Sequence, residues 1–255
     1  MDLSHAALLA AAGVAAGTMN AVAGGGSLIT YPALLAVGLP PVPANVSNSV
    51  SVFPGYVASV VGSRQDLEGQ QRRTALLLPT AVLGAIVGCA LLLATPARAF
   101  ELIVPFLVLG ATAVLAFQDQ LRAVVGHPAH LPPARQKAAL YAMVALGSVY
   151  GGYFGAALGV MFVAGLALVL DESLARVSAV KNVLSAVVGL TTVVVFAAFG
   201  PVNWATVAVL APATMVGGYG GAKLVRRLPN AVLKGVIVTF GTVIGVILLI
   251  RNVRG

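Results

Sequence analysis

Polar side chains are scarce in this chain, and those able to do chemistry inside its apolar runs fall into two stretches. The first is GTMNAVAGGGSLITYPALLAVGLPPVPANVSNSVSVFPG, residues 17–55, which carries Asn20, Gly24, Gly25, Gly26, Ser27, Asn45 and Asn48. The second is ARVSAVKNVLSAVVG, residues 175–189, with Lys181 and Asn182. Their common chemistry is donation to an anion. Three glycines let the backbone turn or approach a ligand closely, and a new apolar helical segment begins at Ser27. Free N–H groups at such a helix start, reinforced by the helix dipole, form an anion site. The same glycines would also serve close helix packing. In the second half Leu158-Gly159-Val160 stands where the first has its triplet, so a site built at both places would be asymmetric.

Asn45 and Asn48 are three apart and share one face of a helix that starts after Pro40, Pro41 and Pro43. Their amides can donate to an oxyanion or bond to a neighbouring helix. Asn20 has the parallel alternative of capping the broken backbone beside it. Lys181 enters an apolar segment, where an ammonium at the centre of a membrane helix costs about 2.5–3.5 kcal/mol and marks a functional candidate. Against that, Asp171, Glu172 and Arg176 lie just upstream, so the lysine can instead extend to the headgroups.

Enzyme chemistry finds no foothold. There is no H-E-x-x-H and no Cys/His cluster, and His127 and His130 sit in a Pro-rich stretch without partners in sequence. No acidic pair lies within an apolar run. The glycine triplet lacks the G-K-[ST] that would make it a phosphate loop. The chain therefore reads as a non-enzyme with no metal or cofactor.

The elements that must position these groups are membrane helices. The chain is 59% hydrophobic and 9% charged, against about 25% charged in soluble domains. From Leu3 to Ser63 there is no Asp, Glu, Lys or Arg, a run far longer than the ~20 apolar residues of one crossing. Breaks at membrane depth are tolerated only where protein or a water-filled cavity satisfies the freed backbone, so the broken stretch reads as a binding site. The net charge of +8 comes from 15 basic residues that fall mostly between apolar runs; this fits membrane orientation rather than nucleic acid. The N-terminus has an acidic residue and no basic n-region, so it reads as the first membrane segment rather than a cleaved signal.

Apolar segments lie at 3–23, 27–38, 45–62, 74–95 and 101–117, and again at 138–158, 160–170, 178–199, 203–222 and 232–250. The second segment of each set is too short to span upright. A shift of 134 positions pairs Gly13 with Gly147, Gly17 with Gly151, Asn48 with Asn182, Ser51 with Ser185 and Gly84 with Gly218 without a gap. Loop 63–73 holds Arg64, Arg72 and Arg73, while its equivalent, 197–207, is uncharged; the reverse holds for the loop near Arg98 and the basic region 223–234. Basic loops mark the cytoplasmic side, so the repeats are expected to be inverted. The expectation is an all-α, polytopic membrane protein: a first repeat over 1–120, a polar cytoplasmic linker over 121–136, and a second repeat over 137–255. Inverted repeats with broken helices are the architecture of secondary transporters, whose sites lie near the bilayer midplane.

The stretch GTMNAVAGGGSLITYPALLAVGLPPVPANVSNSV, together with ARVSAVKNVL, resembles the TauE/SafE family of sulfite exporters over essentially the whole chain. The resemblance implies a bacterial inner-membrane permease for sulfur-containing anions such as sulfite, sulfoacetate or related organosulfonates. It also implies that Asn48, Lys181 and Asn182 lie near the substrate. The resulting expectation is an alternating-access transporter of a small anion within the lipid bilayer, with a passive anion channel as the alternative. A homodimer and a coupling ion, proton or counter-anion, are left open, and no nucleic-acid partner is expected.

Overall fold

The computed structural model describes residues 2–22, 25–117, 120, 132–170 and 172–224, with scattered positions from 235 to 250. The helices are α1 (Leu3–Val22), α2 (Ser27–Ala36), α3 (Pro41–Gly62), α4 (Gln71–Ala94), α5 (Ala97–Ala116), α6 (Pro133–Tyr153), α7 (Leu158–Val169), α8 (Leu174–Phe199) and α9 (Trp204–Leu224). One 3₁₀ turn, Arg64–Leu67, precedes α4. The described positions of segment 232–250 are helical as well, and no strand occurs among the described residues. The all-α expectation holds.

Local sequence accounts for the boundaries. Pro41 opens α3 and Pro133 opens α6, positions where a missing N–H costs nothing and the fixed φ suits a helix. The expected linker is accordingly shorter at its end: the last four of residues 121–136 are the first turn of α6, while 121–131 lie outside the described residues. Ser173 caps α8, its Oγ accepting from the Arg176 N–H at 3.4 Å. Among the described residues, Gln71–Ala94, Ala97–Val114 and Ala175–Phe199 are long and apolar enough to cross a membrane. By contrast α2 and α7, at 10 and 12 residues, extend only about 15–18 Å, well short of a ~30 Å hydrocarbon core.

Packing follows a reciprocal scheme. Helix α1 lies along α9 and α4 along α6; α3 also packs on α9 and α8 on α4, while α3 and α8 face each other. Under the 134-residue shift α1 corresponds to α6, α3 to α8 and α4 to α9, so each contact recurs with the halves exchanged. Small residues make these crossings close. A Cβ on Gly17 would sit 2.1 Å from the Thr214 carbonyl oxygen, and one on Gly88 would sit 2.1 Å from that of Val149. Backbones meet there directly, the usual way membrane helices gain dispersion contact. Two cores result. One centres on Leu9, Met19, Tyr31, Phe100 and Phe154, the other on Leu77, Val144, Phe162 and Leu184. Leu83, Phe106, Val194 and Met215 point outward, as a lipid-facing belt requires.

Candidate functional site

The two helix breaks are built differently. In the first, Gly25 and Gly26 are buried, and their carbonyls accept from the N–H groups of Leu28 at 3.0 Å and Ile29 at 2.9 Å. Gly24 lies outside the described residues. Asn20 closes this break: its Oδ1 accepts from the Gly26 N–H at 2.8 Å. A Cβ on Gly26 would lie 2.3 Å from the Ala16 carbonyl oxygen, so glycine is required for close approach. Thr30 continues the network, its hydroxyl 3.4 Å from the Gly26 carbonyl and donating to Asn48 Oδ1.

The second break runs over Phe154–Ala157. Gly155 (φ 72°) and Ala157 (φ 56°) are left-handed, which turns the chain without a glycine triplet. Gly159 is buried as the second residue of α7, so this break precedes the expected Leu158-Gly159-Val160. Phe154 fills its inner side, edge-on to Tyr31 with centroids 5.3 Å apart.

Helix α3 bridges the two breaks. Asn48 reaches the first through Thr30, while Asn45 donates from Nδ2 to the Tyr153 carbonyl at 2.9 Å, at the end of α6. Asn20, Asn45 and Asn48 are each 1% exposed. Asn20 Nδ2 and Asn45 Oδ1 are buried without a hydrogen-bond partner in the structure. One turn further along α3, a cavity of about 10 Å³ opens, room for about one water. Its polar lining is Ser27 at the start of α2, Ser49 and Tyr56 on α3, and Thr192 on α8; Gly155 and Leu158 bring in the second break. Helix starts α2 and α7 therefore converge on one small polar cavity between α3 and α8.

Lys181 and Asn182 lie elsewhere. Asn182 Nδ2 donates to the Ser59 carbonyl at 3.3 Å and to Ser63 Oγ at 3.0 Å. Ser59 is eleven residues beyond Asn48 on α3, about 16 Å along the axis, so the repeat-related asparagines are not brought together. Lys181 is 3% exposed, and so does not extend into solvent-like headgroup space. It precedes the cavity-lining Val188 by two turns, about 10 Å, and does not itself line the cavity.

Beside them a polar clasp joins the α3–α4 loop to the start of α8. Glu172 pairs with Arg73 at 3.1 Å and Arg176 at 2.6 Å. Arg176 Nη1 donates to the Glu68 carbonyl at 3.1 Å, and Gln70 Nε2 to the Arg176 carbonyl at 3.3 Å. The hydrogen bond from Arg176, followed by its charge and that of Arg73, lowers the Glu172 pKa. At the other end of α3 the Asn203 N–H donates to Ser47 Oγ at 2.8 Å. Sequence reasoning missed Thr30, Tyr56 and Thr192, which look like ordinary helix residues, and Gly155. The spacing Gly151-Gly152…Gly155 was the available signal for the last. No group of His, Cys, Asp and Glu able to hold a metal occurs among the described residues.

A family model described as "Sulfite exporter TauE/SafE" matches residues 9–248. Among curated proteins, the chain is 26% identical over 242 residues to "Probable membrane transporter protein YfcA" of Escherichia coli K12, covering 92% of this chain and 86% of that one. It is 24% identical over 237 residues to a "Probable membrane transporter protein" of Haemophilus influenzae, covering 91% and 89%. A further relative, "Probable membrane transporter protein ORF9" of a Sinorhizobium species, is 24% identical over 244 residues, covering 95% and 92%. No solved structure is a significant match.

Proposed function

The chain belongs to the TauE/SafE family of sulfite exporters, a family of membrane transporters and not enzymes, and from that premise we propose that it carries small sulfur-containing anions, sulfite or organosulfonates, by alternating access. The carrying observation is the convergence of two helix starts on one polar cavity lined by Ser27, Ser49, Tyr56 and Thr192. The N–H groups of Gly26, Leu28 and Ile29 are already bonded within the first break, so what each helix start offers is its positive dipole end, and hydroxyls complete the shell of an oxyanion without adding a fixed charge. In this reading Gly25, Gly26, Ser27 and the start of α7 around Gly159 contact the anion. Asn20, Asn45 and Asn48 hold the breaks in place, and the buried Lys181 supplies positive potential on the approach from the 63–73 side, next to Asn182.

The reciprocal packing of α1 on α9 and α4 on α6 supports two halves of inverted topology, rocking about the cavity in a bacterial inner membrane. A cavity of about 10 Å³ has no room for a four-atom oxyanion, so binding requires the halves to separate. The clasp at Glu172 then closes one face, and the Ser47–Asn203 bond the other. The test is sulfite uptake into proteoliposomes, with Ser27→Ala and Thr192→Val as variants. Saturable flux, accelerated by sulfite on the opposite side and weakened in both variants, fits the proposal. Linear flux without counterflow would assign a passive channel, and full activity in both variants would move the site elsewhere.

A further inference from the structure

We propose that the groove between α4, α6 and the end of α7 binds the phosphodiester headgroup of an anionic phospholipid, separately from the transport site. The groove holds about 480 Å³. Its rim carries Arg72 and Arg73 from the first turn of α4 and Lys137 from the start of α6; Leu76, Leu77 and Leu140, one turn deeper, form the wall. Cations at the rim with aliphatic side chains beneath match a ligand with a charged head and acyl chains. A small inorganic anion would leave most of this volume and all of its apolar wall unused.

The charges at the rim are available. Arg72 and Lys137 are exposed, and neither makes an ion pair or side-chain hydrogen bond among the described residues. Arg73 holds Glu172 and Gln70 through its terminal nitrogen, yet its Nε is buried without an acceptor. Glu172, the carboxylate that holds Arg73, is shared with Arg176 and does not pair with Arg72 or Lys137. The Gln136 amide donates to the Val169 carbonyl at 2.6 Å. That bond occupies one of the α7 carbonyls that would otherwise repel an anion. Basic pockets between membrane helices, at the level of the headgroups, are the recognised form of anionic lipid site.

The experiment compares delipidated protein in phosphatidylcholine nanodiscs with the same protein after phosphatidylglycerol is added, reading the unfolding midpoint and, by native mass spectrometry, the retained lipid. Phosphatidylglycerol is expected to raise the midpoint and to stay bound. The double variant Arg72→Gln/Lys137→Gln should match the native midpoint in phosphatidylcholine but retain phosphatidylglycerol about tenfold less well, as loss of a charge-assisted contact predicts. Arg72→Lys/Lys137→Arg should keep the lipid effect. Should the double variant fold poorly, Arg72→Gln alone serves, since that side chain is exposed and unpaired among the described residues. Equal stabilisation by the two lipids, or an undiminished effect in the glutamine variants, overturns the proposal. So does reproduction of the whole effect by free glycerol phosphate, which would mark a soluble phosphate ester as the ligand. None of these readouts depends on transport.

Discussion

Gly26→Ala puts the first break to the strongest test. The added Cβ would lie 2.3 Å from the Ala16 carbonyl oxygen and 2.8 Å from the Asn20 amide carbon and nitrogen. An ordinary carbon–oxygen contact lies near 3.3 Å, so α1 and α2 must separate by about 1 Å, and overpacking of that kind costs about 1–3 kcal/mol. Separation also strains the Gly26 N–H···Asn20 bond of 2.8 Å, and leaving a buried donor unmet costs a further ~1–3 kcal/mol. Because both penalties act through one displacement they overlap, and a total of about 2–4 kcal/mol is expected. Unfolding of detergent-purified, monodisperse protein measures the stability change, and sulfite uptake per folded molecule measures function. Gly110→Ala is the control: nothing lies within 4 Å of its Cβ, and in a helix interior the change is neutral or stabilising by about 0.5–1 kcal/mol. Asn20→Ala should be non-additive with Gly26→Ala, since each removes the same bond. If Gly26→Ala kept native stability and native transport, the close approach of α1 and α2 would not exist, and the anion site built on it would fall.

Three further outcomes are expected. Cysteines at Glu68 and Pro201, exposed and in equivalent loops, should label from opposite faces of the membrane; labelling from one face would rule out inversion. Asn48→Ala should weaken sulfite binding to purified protein by about 1–2 kcal/mol through loss of the Thr30 link, whereas Asn182→Ala, which loosens the Ser59–Ser63 clasp, should lower stability and leave affinity nearly unchanged. The reverse order would return Asn182 to the substrate. The pKa of Glu172 is lowered from its ordinary 4.5, so its ion pairs stabilise fully above that value and the contribution is lost as pH falls through the lower folded value. Native protein should therefore out-melt Glu172→Gln by a constant margin from about pH 8 to 5.5, a gap narrowing below about pH 4.5; a margin already shrinking near pH 6.5 would contradict the pairing.

The legible parts of the sequence were those where composition reports membrane depth directly. A glycine triplet inside an uncharged run of 61 residues, Leu3 to Ser63, reads as a break or as close packing, and the structure has both: α1 ends at Val22, α2 begins at Ser27, and Gly26 lies against Ala16. The short α2 and α7 followed from the lengths of their apolar runs. Asn45 and Asn48 read as sharing one helix face with amides that can bond to a neighbouring helix, and both are buried, Asn45 donating to the end of α6. Their partners did not follow, because the Tyr153 carbonyl is 108 positions away and a backbone acceptor has no signature in residue type. The second break was misplaced by a few residues for a related reason. Its turn uses Ala157 at φ 56°, a conformation costing an L-residue about 1–2 kcal/mol and one that residue type does not advertise. The 134-residue pairing of Asn48 with Asn182 did not translate into proximity. Asn182 meets Ser59 and Ser63, roughly 16 Å along α3 from Asn48.

That asymmetry bears on how the halves would move. In the first break Asn20, Gly26, Thr30 and Asn48 form one hydrogen-bonded chain. The positions related to Asn20, Gly26 and Thr30 by the 134-residue shift are Phe154, Val160 and Ala164, all apolar. Opening a buried polar chain leaves donors and acceptors unmet, at about 1–3 kcal/mol for each group. Sliding an aromatic ring such as Phe154 against Tyr31 and Phe100 exchanges one set of dispersion contacts for another at small net cost. Under the alternating-access reading α1, α2 and the near end of α3 therefore travel as a unit. Displacement concentrates at the second break, where the Asn45 amide ties α3 to the Tyr153 carbonyl at the end of α6. The clasp of Glu172 with Arg73 and Arg176 joins the start of α4 to the start of α8, so one end of the bundle is held by ion pairs, and the other, among the described residues, by the Ser47–Asn203 bond. In that reading, unequal latches of this kind would bias the resting state toward closure at the clasped face and give the anion its first access from the side of Ser47.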